Sequence, residues 1–343
     1  MSLAATGGAV TANRAEGSGG NVSAGPGSDT LFEGVDLGRG GAGVEGGALS
    51  NAGTAELVQV PVFLASAMRG GAIANAGDLT LRDTLLTSNE ATEAGGGLWN
   101  APGGRAALVD SRIEDNLLAG ADPRGAGIAN EGAAFLASST VAGNRSVQFP
   151  SYTGAGGGIF TSGALSAVNL TVAGNRAADA GGLLIAPGGS AALVLSTVTG
   201  NLGQAGAGAI ATEGALTLAG ALVAGNEAAA GAPADLDARM PGNVTLNGPS
   251  LFGAAPGGDA TVDLAEAILL ETLPATPGDV FAALDPFGGG ALADNGGEVR
   301  TVALASGPPS GPATDAADPA AAISLSESDF GLDLDGDGDR RDV

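Results

Sequence analysis

Apolar residues recur along this chain in short phrases, and one phrase returns at a nearly constant interval. Six copies can be recognised by their final residue, at Asn89, Asn116, Asn144, Asn175, Asn201 and Asn226. The differences between these positions give successive spacings of 27, 28, 31, 26 and 25 residues. Such an interval is typical of stacked-repeat proteins, in which each repeat buries its apolar face against its neighbours.

Each period contains three apolar phrases, separated by Gly, Asn or Pro. One is a Gly-rich lead such as Gly70-Gly71-Ala72-Ile73, one is an alternating piece such as Leu79-Thr80-Leu81, and the third ends in the recurring Asn. Phrases of three to five residues that alternate with a period of two indicate strands rather than helices. The predicted fold class is therefore all-β, a parallel β-helix with three short strands per rung.

The apolar position three residues before the Asn can be followed into less regular repeats. We predict that nine rungs fill it with Val10, Val35, Phe63, Leu86, Ile113, Val141, Val172, Val198 and Val223. The Asn position would begin with Asn13, Gly38 and Ser66 and then become Asn in every rung. Stacked Asn side chains are expected to form a structural ladder rather than a site. About nine rungs spaced by roughly 4.8 Å predict a rod roughly 40 Å long.

The repeat pattern stops near Ala232. Residues 1–232 are predicted to be the β-helix repeats, and residues 233–343 a C-terminal capping region with an acidic Asp/Gly tail. A cap is expected because an open solenoid end exposes strand edges and core. The N-terminal rung, residues 1–20, has no predicted cap and could pair with another chain.

Charge and composition narrow the classes of function. The chain has 37 acidic residues against 13 basic ones, a net charge of −24, and it contains neither His nor Cys. All its basic residues are Arg. This balance argues against nucleic acid or an anionic membrane as partner, and the missing residues remove thiolate and imidazole chemistry. No run of 18 apolar residues predicts a membrane-spanning helix.

Two segments resemble known families. Gly70-Gly71-Ala72-Ile73, followed by the Ser88-Asn89 corner, resembles the repeats of polymorphic outer-membrane proteins and of bacterial exported proteins with a pectin-lyase-like β-helix. Asp294-Asn295-Gly296-Gly297, followed by Gly311-Pro312-Ala313-Thr314-Asp315, resembles their "choice-of-anchor" C-terminal regions, although Ser and Ile are usual where Gly311 and Thr314 stand. The resemblance implies a right-handed parallel β-helix in an exported or cell-surface location, with no established chemistry. The first residues, Met1 to Ala5, lack the features of a signal peptide.

The acidic tail is the clearest candidate for metal chemistry. Carboxylates at alternate positions followed by Gly338 match the first half of a calcium loop. The predicted Ca²⁺ ligands are Asp333, Asp335, Asp337 and Asp339. The bidentate Glu of such a loop would fall one residue past Val343, so weak affinity is expected unless Asp342, Asp329 or another chain contributes. The alternative is a solvated acidic tail.

Three aromatic residues are candidates for ligand contact. Trp99 follows Leu98, so alternation points it outward if Leu98 lies in the core. Phe149 and Tyr152 lie in an insertion, Ser146–Thr153, and insertions confined to one corner form loops on one face of a solenoid. Ordinary surface packing is the alternative for each.

Enzymes with this fold cleave acidic polysaccharides with basic catalytic residues, and of these this chain has Arg but neither Lys nor His. Their lyases abstract a proton with Lys or Arg, and their hydrolases combine Asp with His and Lys. A carboxylate pair alone could hydrolyse a neutral glycan. The candidate acids are Asp83, Asp110, Glu114 and Asp115, and exposed positions beside strands are their alternative role.

These observations predict a non-catalytic, exported or cell-surface β-helix scaffold or adhesion protein, with Ca²⁺ at its tail. Extracellular glycans or cell-surface components are the expected partners. One alternative is a glycan-binding or polysaccharide-cleaving β-helix protein. Another is a self-assembling rod that associates through its N-terminal rung.

Overall fold

The computed structural model describes residues 2–120, 123–148, 151–230, 234–258, 267–269, 277–286, 289–295 and 300–305. Nearly all of its regular elements are short strands stacked in parallel columns. The chain is therefore an all-β parallel β-solenoid of about nine turns, which confirms the predicted fold class. The described part of the chain includes no helix long and apolar enough to cross a bilayer.

The three predicted phrases form three regular sheets. Sheet 1 holds the alternating phrase, in strands Ser2–Thr6, Asp29–Glu33, Thr54–Val58, Asp78–Arg82, Arg105–Val109, Ala133–Ala137, Ala164–Val168, Ser190–Val194, Ala215–Ala219 and Val244–Leu246. Sheet 2 holds the phrase before the Asn, in strands Ala9–Thr11, Asp36–Gly38, Pro61–Phe63, Leu85–Thr87, Arg112–Glu114, Thr140–Ala142, Thr171–Ala173, Thr197–Thr199, Leu222–Val223, Ser250–Phe252 and Ala267–Leu269.

Sheet 4 holds the Gly-rich lead. In each turn an additional short strand, which belongs to sheet 3, lies between the strands of sheets 2 and 4. Sheet 4 contains Val22–Ala24, Leu49–Asn51, Ile73–Asn75, Leu98–Asn100, Ile128–Asn130, Ile159–Thr161, Leu183–Ile185, Ile210–Thr212 and Leu236–Ala238. Sheet 3 follows the Asn corner and contains Arg14–Ala15, Gly41–Ala42, Ser66–Arg69, Glu90–Ala94, Leu117–Leu118, Arg145–Gln148, Arg176–Ala177, Leu202–Gly203 and Glu227–Ala228. Most strands of sheet 3 have only two residues, too short to show alternation, so the sequence did not predict them.

One stacked core fills the solenoid, and its register corrects two of the predicted rungs. In sheet 2, Val10 pairs with Leu37, Leu37 with Val62 and Val62 with Leu86. Leu37 and Val62 therefore occupy the inward positions predicted for Val35 and Phe63. Val35 is buried at the preceding corner, and Phe63 points outward over Gly38.

The Asn position shifts with this register. It is occupied by Gly40 and Ala65 in these turns instead of Gly38 and Ser66, and Ala65 N donates to Asn89 Oδ1 at 3.0 Å. The error arose because each of these turns has a second apolar residue one or two positions away, Val35 beside Leu37 and Phe63 beside Val62, so that alternation alone could not fix the register.

The predicted Asn ladder is present at the corner between sheets 2 and 3. We call it the corner ladder; it comprises Asn89, Asn116, Asn144, Asn175, Asn201 and Asn226. Each Nδ2 donates to the next Oδ1, as from Asn116 to Asn144 at 2.9 Å, and each backbone N–H up to Asn201 donates to the same oxygen. Its structural role is thereby confirmed.

A second ladder, which we did not predict from the sequence, lies between sheets 4 and 1. We call it the turn ladder; it comprises Asn51, Asn75, Asn100, Asn130 and Thr161. The Nδ2 of each Asn donates to the next residue of the ladder at 2.8–3.0 Å. It repeats with the spacing of the turns and closes the tight link between the two sheets.

The parallel sheets continue beyond the predicted boundary at residue 232. Leu236–Ala238, Val244–Leu246 and Ser250–Phe252 extend sheets 4, 1 and 2. These strands lack the Gly-Gly lead and the Val-x-Gly-Asn phrase, yet Leu236 and Phe252 still fill the core. At least residues 236–252 therefore belong to the solenoid rather than to a separate cap.

The described C-terminal residues fold back over the outer face of sheet 2. They include a short helix, Pro277–Val280, and an antiparallel pair, Leu292–Ala293 with Thr301–Val302. Val280 and Phe281 are buried against Leu222, Ala224 and Leu251. We call residues 281–304 the strap, within which residues 287–288 and 296–299 are not described.

Candidate functional site beside sheet 2

The corner between sheets 2 and 3 supplies the floor of the candidate site. One residue per turn has a left-handed backbone there: Ala12, Arg39, Leu64, Ser88, Asp115, Gly143, Gly174, Gly200 and Gly225. Most of these corners donate their N–H to the following turn, as Asp115 N does to Ala142 O at 3.0 Å. From residue 143 onward this corner is glycine, so backbone rather than side chain faces outward.

The strap lies over these glycine corners and leaves a cleft of about 190 Å³ beneath it. Sheet 2 and its corners provide five of the lining residues, and the strap provides four. The lining residues are Asp115, Ala142, Gly143, Ala173, Gly174, Asp285, Gly290, Leu292 and Arg300. The cleft therefore exists only because the C-terminal segment returns to the solenoid.

Two carboxylates mark the two ends of the cleft. A Cβ placed on Gly143 would lie 2.6 Å from Asp115 Oδ1, and one on Gly200 would overlap Asp285 Oδ2. Asp285 Oδ1 accepts a hydrogen bond from Gly289 N at 2.9 Å. Gly143 and Gly200 are two turns apart, so the carboxylates lie about 10 Å from each other along the solenoid.

Arg300 closes one end of the cleft through an ion pair. Its Nη2 donates to Glu114 Oε2 at 2.7 Å, and its carbonyl accepts from Thr140 Oγ1 at 2.7 Å. The Glu114 side chain is only 9% exposed, and in the described part of the chain its Oε1 has no hydrogen-bond partner. The cleft is therefore lined by two carboxylates, Asp115 and Asp285, and by one guanidinium that is already paired with Glu114, which makes it rich in acceptors.

The four acids considered for catalysis separate into two places. Glu114 and Asp115 lie at the cleft, whereas Asp83 and Asp110 lie one turn apart at the corner between sheets 1 and 2. Burial raises the pKa of Asp110, Asp83 raises it further, and Arg82 lowers it. No pair among the four spans the cleft.

Trp99 is not an open platform. Its side chain points away from the core, as predicted, but it is only 7% exposed. The Arg69 guanidinium lies 4.5 Å from the ring centroid, and Nε1 donates to Glu131 Oε1 at 3.3 Å. A cation over the ring face and packing against Ala74 and Ala129 occupy the surface that a sugar would need.

The insertion after the Asn144 corner forms a small hairpin. Ser151–Tyr152 pairs antiparallel with Arg145–Gln148. Tyr152 is half-buried; its hydroxyl accepts from Arg176 Nη1 at 3.3 Å, and its backbone N donates to Gln204 Oε1 at 2.9 Å. Phe149 lies outside the described residues.

The predicted calcium ligands Asp333, Asp335, Asp337 and Asp339 also lie outside the described residues. Within the residues described, no group of three acidic residues is arranged to hold a metal ion. Three acidic residues, Asp179, Glu213 and Asp237, surround Arg239, which makes a bidentate pair with Asp179 at 2.7 and 2.8 Å.

Comparison with known proteins does not assign the chain to a family. No protein-family model, curated protein or solved structure matches the chain. The pectin-lyase-like and anchor-region resemblances therefore remain predictions, while the β-solenoid fold is established by the sheets themselves.

Sequence reasoning did not find the cleft, Asp285 or Arg300 as site residues. Arg300 and Glu114 are 186 residues apart, a contact that no local pattern predicts. One signal was present: the corner residue changes to Gly at residue 143 and stays Gly in the next three turns.

Proposed function

We propose that this chain is a non-catalytic, exported or cell-surface scaffold that contacts its target through the cleft beside sheet 2. The observation that carries this proposal is the composition of the cleft, whose charged lining consists of Asp115, Asp285 and an Arg300 that is already paired with Glu114. Carboxylate oxygens at both ends suit a ligand rich in hydrogen-bond donors.

A glycan unit fits this chemistry better than an anionic ligand. Ala142, Ala173 and Leu292 offer apolar contact for the C–H groups of a sugar ring, and the carboxylates accept hydrogen bonds from hydroxyl or ammonium groups. The net charge of −24 repels uronic polymers and favours neutral or amino sugars.

Binding is tested on a panel of neutral and amino-sugar oligosaccharides by calorimetry. Asp285→Asn and Asp115→Asn are expected to weaken binding at least about tenfold, because each removes a charged acceptor from the cleft. Asp29→Asn is the matched control, since it removes the same charge from an exposed strand end of sheet 1. Equal weakening by the control, or no binding of any sugar, would overturn the cleft as the contact site.

Absence of catalysis is tested on the same panel by release of reducing ends. No release is expected from the wild-type protein. Release that Asp110→Asn or Asp115→Asn abolishes would instead support the polysaccharide-cleaving alternative.

Calcium binding by the tail is a separate part of the proposal. It rests on the spacing of the four Asp residues alone. Calorimetric titration of Ca²⁺ is expected to show weak binding to the wild type and no binding to Asp335→Ala. Two identical flat isotherms would rule out calcium binding by the tail.

A further inference from the structure

We propose that two copies of this chain associate head to head through their first turn, so that strand Ser2–Thr6 of one copy pairs antiparallel with the same strand of the other. The two copies use the same surface, so the association closes as a dimer. It differs in this from a self-assembling rod, in which the first turn of one copy would meet the last turn of the next.

The first turn presents an unpaired strand edge in each of the four sheets. Within the described residues, its strands Ser2–Thr6, Ala9–Thr11, Arg14–Ala15 and Val22–Ala24 each pair with the following turn only. An open edge of this kind is a template for pairing with a strand of another chain. The first turn therefore offers hydrogen-bonding groups around the whole cross-section of the solenoid.

The core is open at the same end. Leu3 begins the inward column of sheet 1 that continues with Thr30, Ala55 and Leu79. Those three residues are at most 6% exposed, whereas Leu3 is 49% exposed. Val10 is likewise only partly buried where it packs against the end of the core. A second apolar edge placed against these side chains would remove their surface from water.

The first strand of sheet 1 lacks the features that natural sheets use against edge pairing. Ser2–Thr6 has five residues, none of them charged and none of them Pro. At the other end of the same sheet, Val244–Leu246 has only three residues and lies between Pro241 and Pro249. In sheet 3 the last strand, Glu227–Ala228, has two residues and a charge. Short strands, charges and Pro protect edges, so the first turn is the better suited end for association.

The charge distribution favours a second copy in the head-to-head orientation. Residues 1–28 contain one basic and one acidic residue, Arg14 and Glu16. Residues 213–343 contain 21 acidic residues against 4 basic ones. Contact between two first turns joins two uncharged ends and keeps the acidic ends of the two copies far apart, which minimises repulsion in the dimer.

A two-fold axis at Ala4 pairs all five residues of the strand. Ala4 then lies opposite Ala4 of the other copy, and Leu3 lies opposite Ala5, so that the inward positions of both copies share one core. Cα atoms of directly opposite residues are about 4.5–5.5 Å apart, a separation that a disulfide spans. Leu31 pairs with Ala4 from the second turn, and three strand spacings would place it about 14 Å from Leu31 of the other copy.

Cysteine cross-linking of the full chain tests this geometry, because the chain contains no Cys of its own. Under mild oxidation Ala4→Cys is expected to form a disulfide-linked dimer at least about tenfold faster than Leu31→Cys, whose thiols lie beyond the reach of a disulfide. Equal rates for the two variants would show that the copies meet by random collision or through another surface, and would overturn the proposal.

Sedimentation velocity at physiological ionic strength tests the association itself. The wild type is expected to sediment with twice the mass of one chain, and Leu3→Asp to raise the dissociation constant at least about tenfold, because it places an unpaired charge in the contact. Leu31→Asp is the matched control, since it adds the same charge to an exposed position one turn away. A monomeric wild type, species larger than a dimer, or equal weakening by Leu31→Asp would each refute head-to-head pairing.

Discussion

The corner ladder and the turn ladder use the same residue at the same spacing for different tasks. Asn144 Oδ1 accepts from both the backbone N–H and the Nδ2 of Asn116, and its own Nδ2 donates to Ile113 O and Asn175 Oδ1. Each internal corner Asn therefore provides the acceptor for a buried backbone donor one turn away.

The turn ladder serves mainly carbonyl groups, although Asn51 and Asn75 also accept from the N–H of Gly53 and Gly77 within their own turns. Asn100 Nδ2 lies within hydrogen-bond distance of Asn130 Oδ1, Gly104 O and Ala133 O, and Asn100 Oδ1 accepts from Asn75 Nδ2. A carbonyl tolerates the loss of one donor better than a buried N–H tolerates the loss of its acceptor. The difference predicts that the two ladders respond unequally to the same substitution.

Asn144→Ala is expected to have the largest effect. It leaves the backbone N–H of Asn116 without an acceptor and removes four hydrogen bonds, so the free energy of unfolding should fall by about 3–5 kcal/mol. Asn100→Ala should lower it by only about 1–3 kcal/mol, because Asn75 Nδ2 keeps Gly77 O and Arg105 O as acceptors. Urea unfolding followed by circular dichroism measures both, and an equal loss would contradict the distinction.

The corner ladder was predictable because its sequence phrase is nearly invariant. The turn ladder was missed although Asn51, Asn75 and Asn130 each stand two residues before a Gly, a spacing that a tight turn explains. Its signal was hidden by Asn100, which has a longer link, and by Thr161, which replaces Asn. A search for either Asn or Thr two residues before Gly would have found most of it.

The parts that could not be predicted depend on register and on distant contacts. Val35-Asp36-Leu37 and Val62-Phe63 each offer two apolar residues, and only the pairing of neighbouring strands decides which one occupies the inward position of sheet 2. The strap contacts join residues more than 90 positions apart, as Gly290 and Thr199 do. The repeat period predicts which residues of neighbouring turns lie together, but it does not predict that a C-terminal segment returns to sheet 2.

At the C-terminal end of the corner ladder, the last Asn donates to a titratable carboxyl group, that of Asp235, instead of to another Asn. Asn226 Nδ2 donates to its Oδ1 at 2.9 Å and Ala254 N to its Oδ2 at 2.7 Å. Burial raises the pKa of Asp235 to about 6, against the lowering effect of these N–H donors. Because the folded pKa exceeds the unfolded one, the stabilising contribution is complete below about pH 4 and is lost as the pH rises through 6.

The measurement is the free energy of unfolding of wild type and Asp235→Asn between pH 4 and pH 7.5. The variant does not titrate at this position, so the wild type should lose about 2–3 kcal/mol relative to it over that range. A difference in unfolding free energy that is the same at every pH, such as a lost bond to Ala254, does not change how this free energy depends on pH. Asp29→Asn corrects for the general effect of removing one negative charge, and a slope no larger than that of this control would refute the prediction.

Thr161 ends the turn ladder, and substitutions there should have the smallest effects. Its hydroxyl accepts from Asn130 Nδ2 at 3.0 Å and donates to Gly163 O at 3.2 Å, and the next turn places Ile185 at the same position. Thr161→Val should lower the free energy of unfolding by about 1 kcal/mol, because Asn130 Nδ2 keeps Ala164 O as an acceptor.

Thr161→Asn should restore the ladder and be at least as stable as wild type, since Asn51 and Asn75 already bond the equivalent Gly carbonyls. Urea midpoints of the three proteins should therefore rank Asn and Thr above Val. If Thr161→Asn proves less stable than Thr161→Val, contact with the buried Ile185 rather than hydrogen bonding sets the end of the turn ladder.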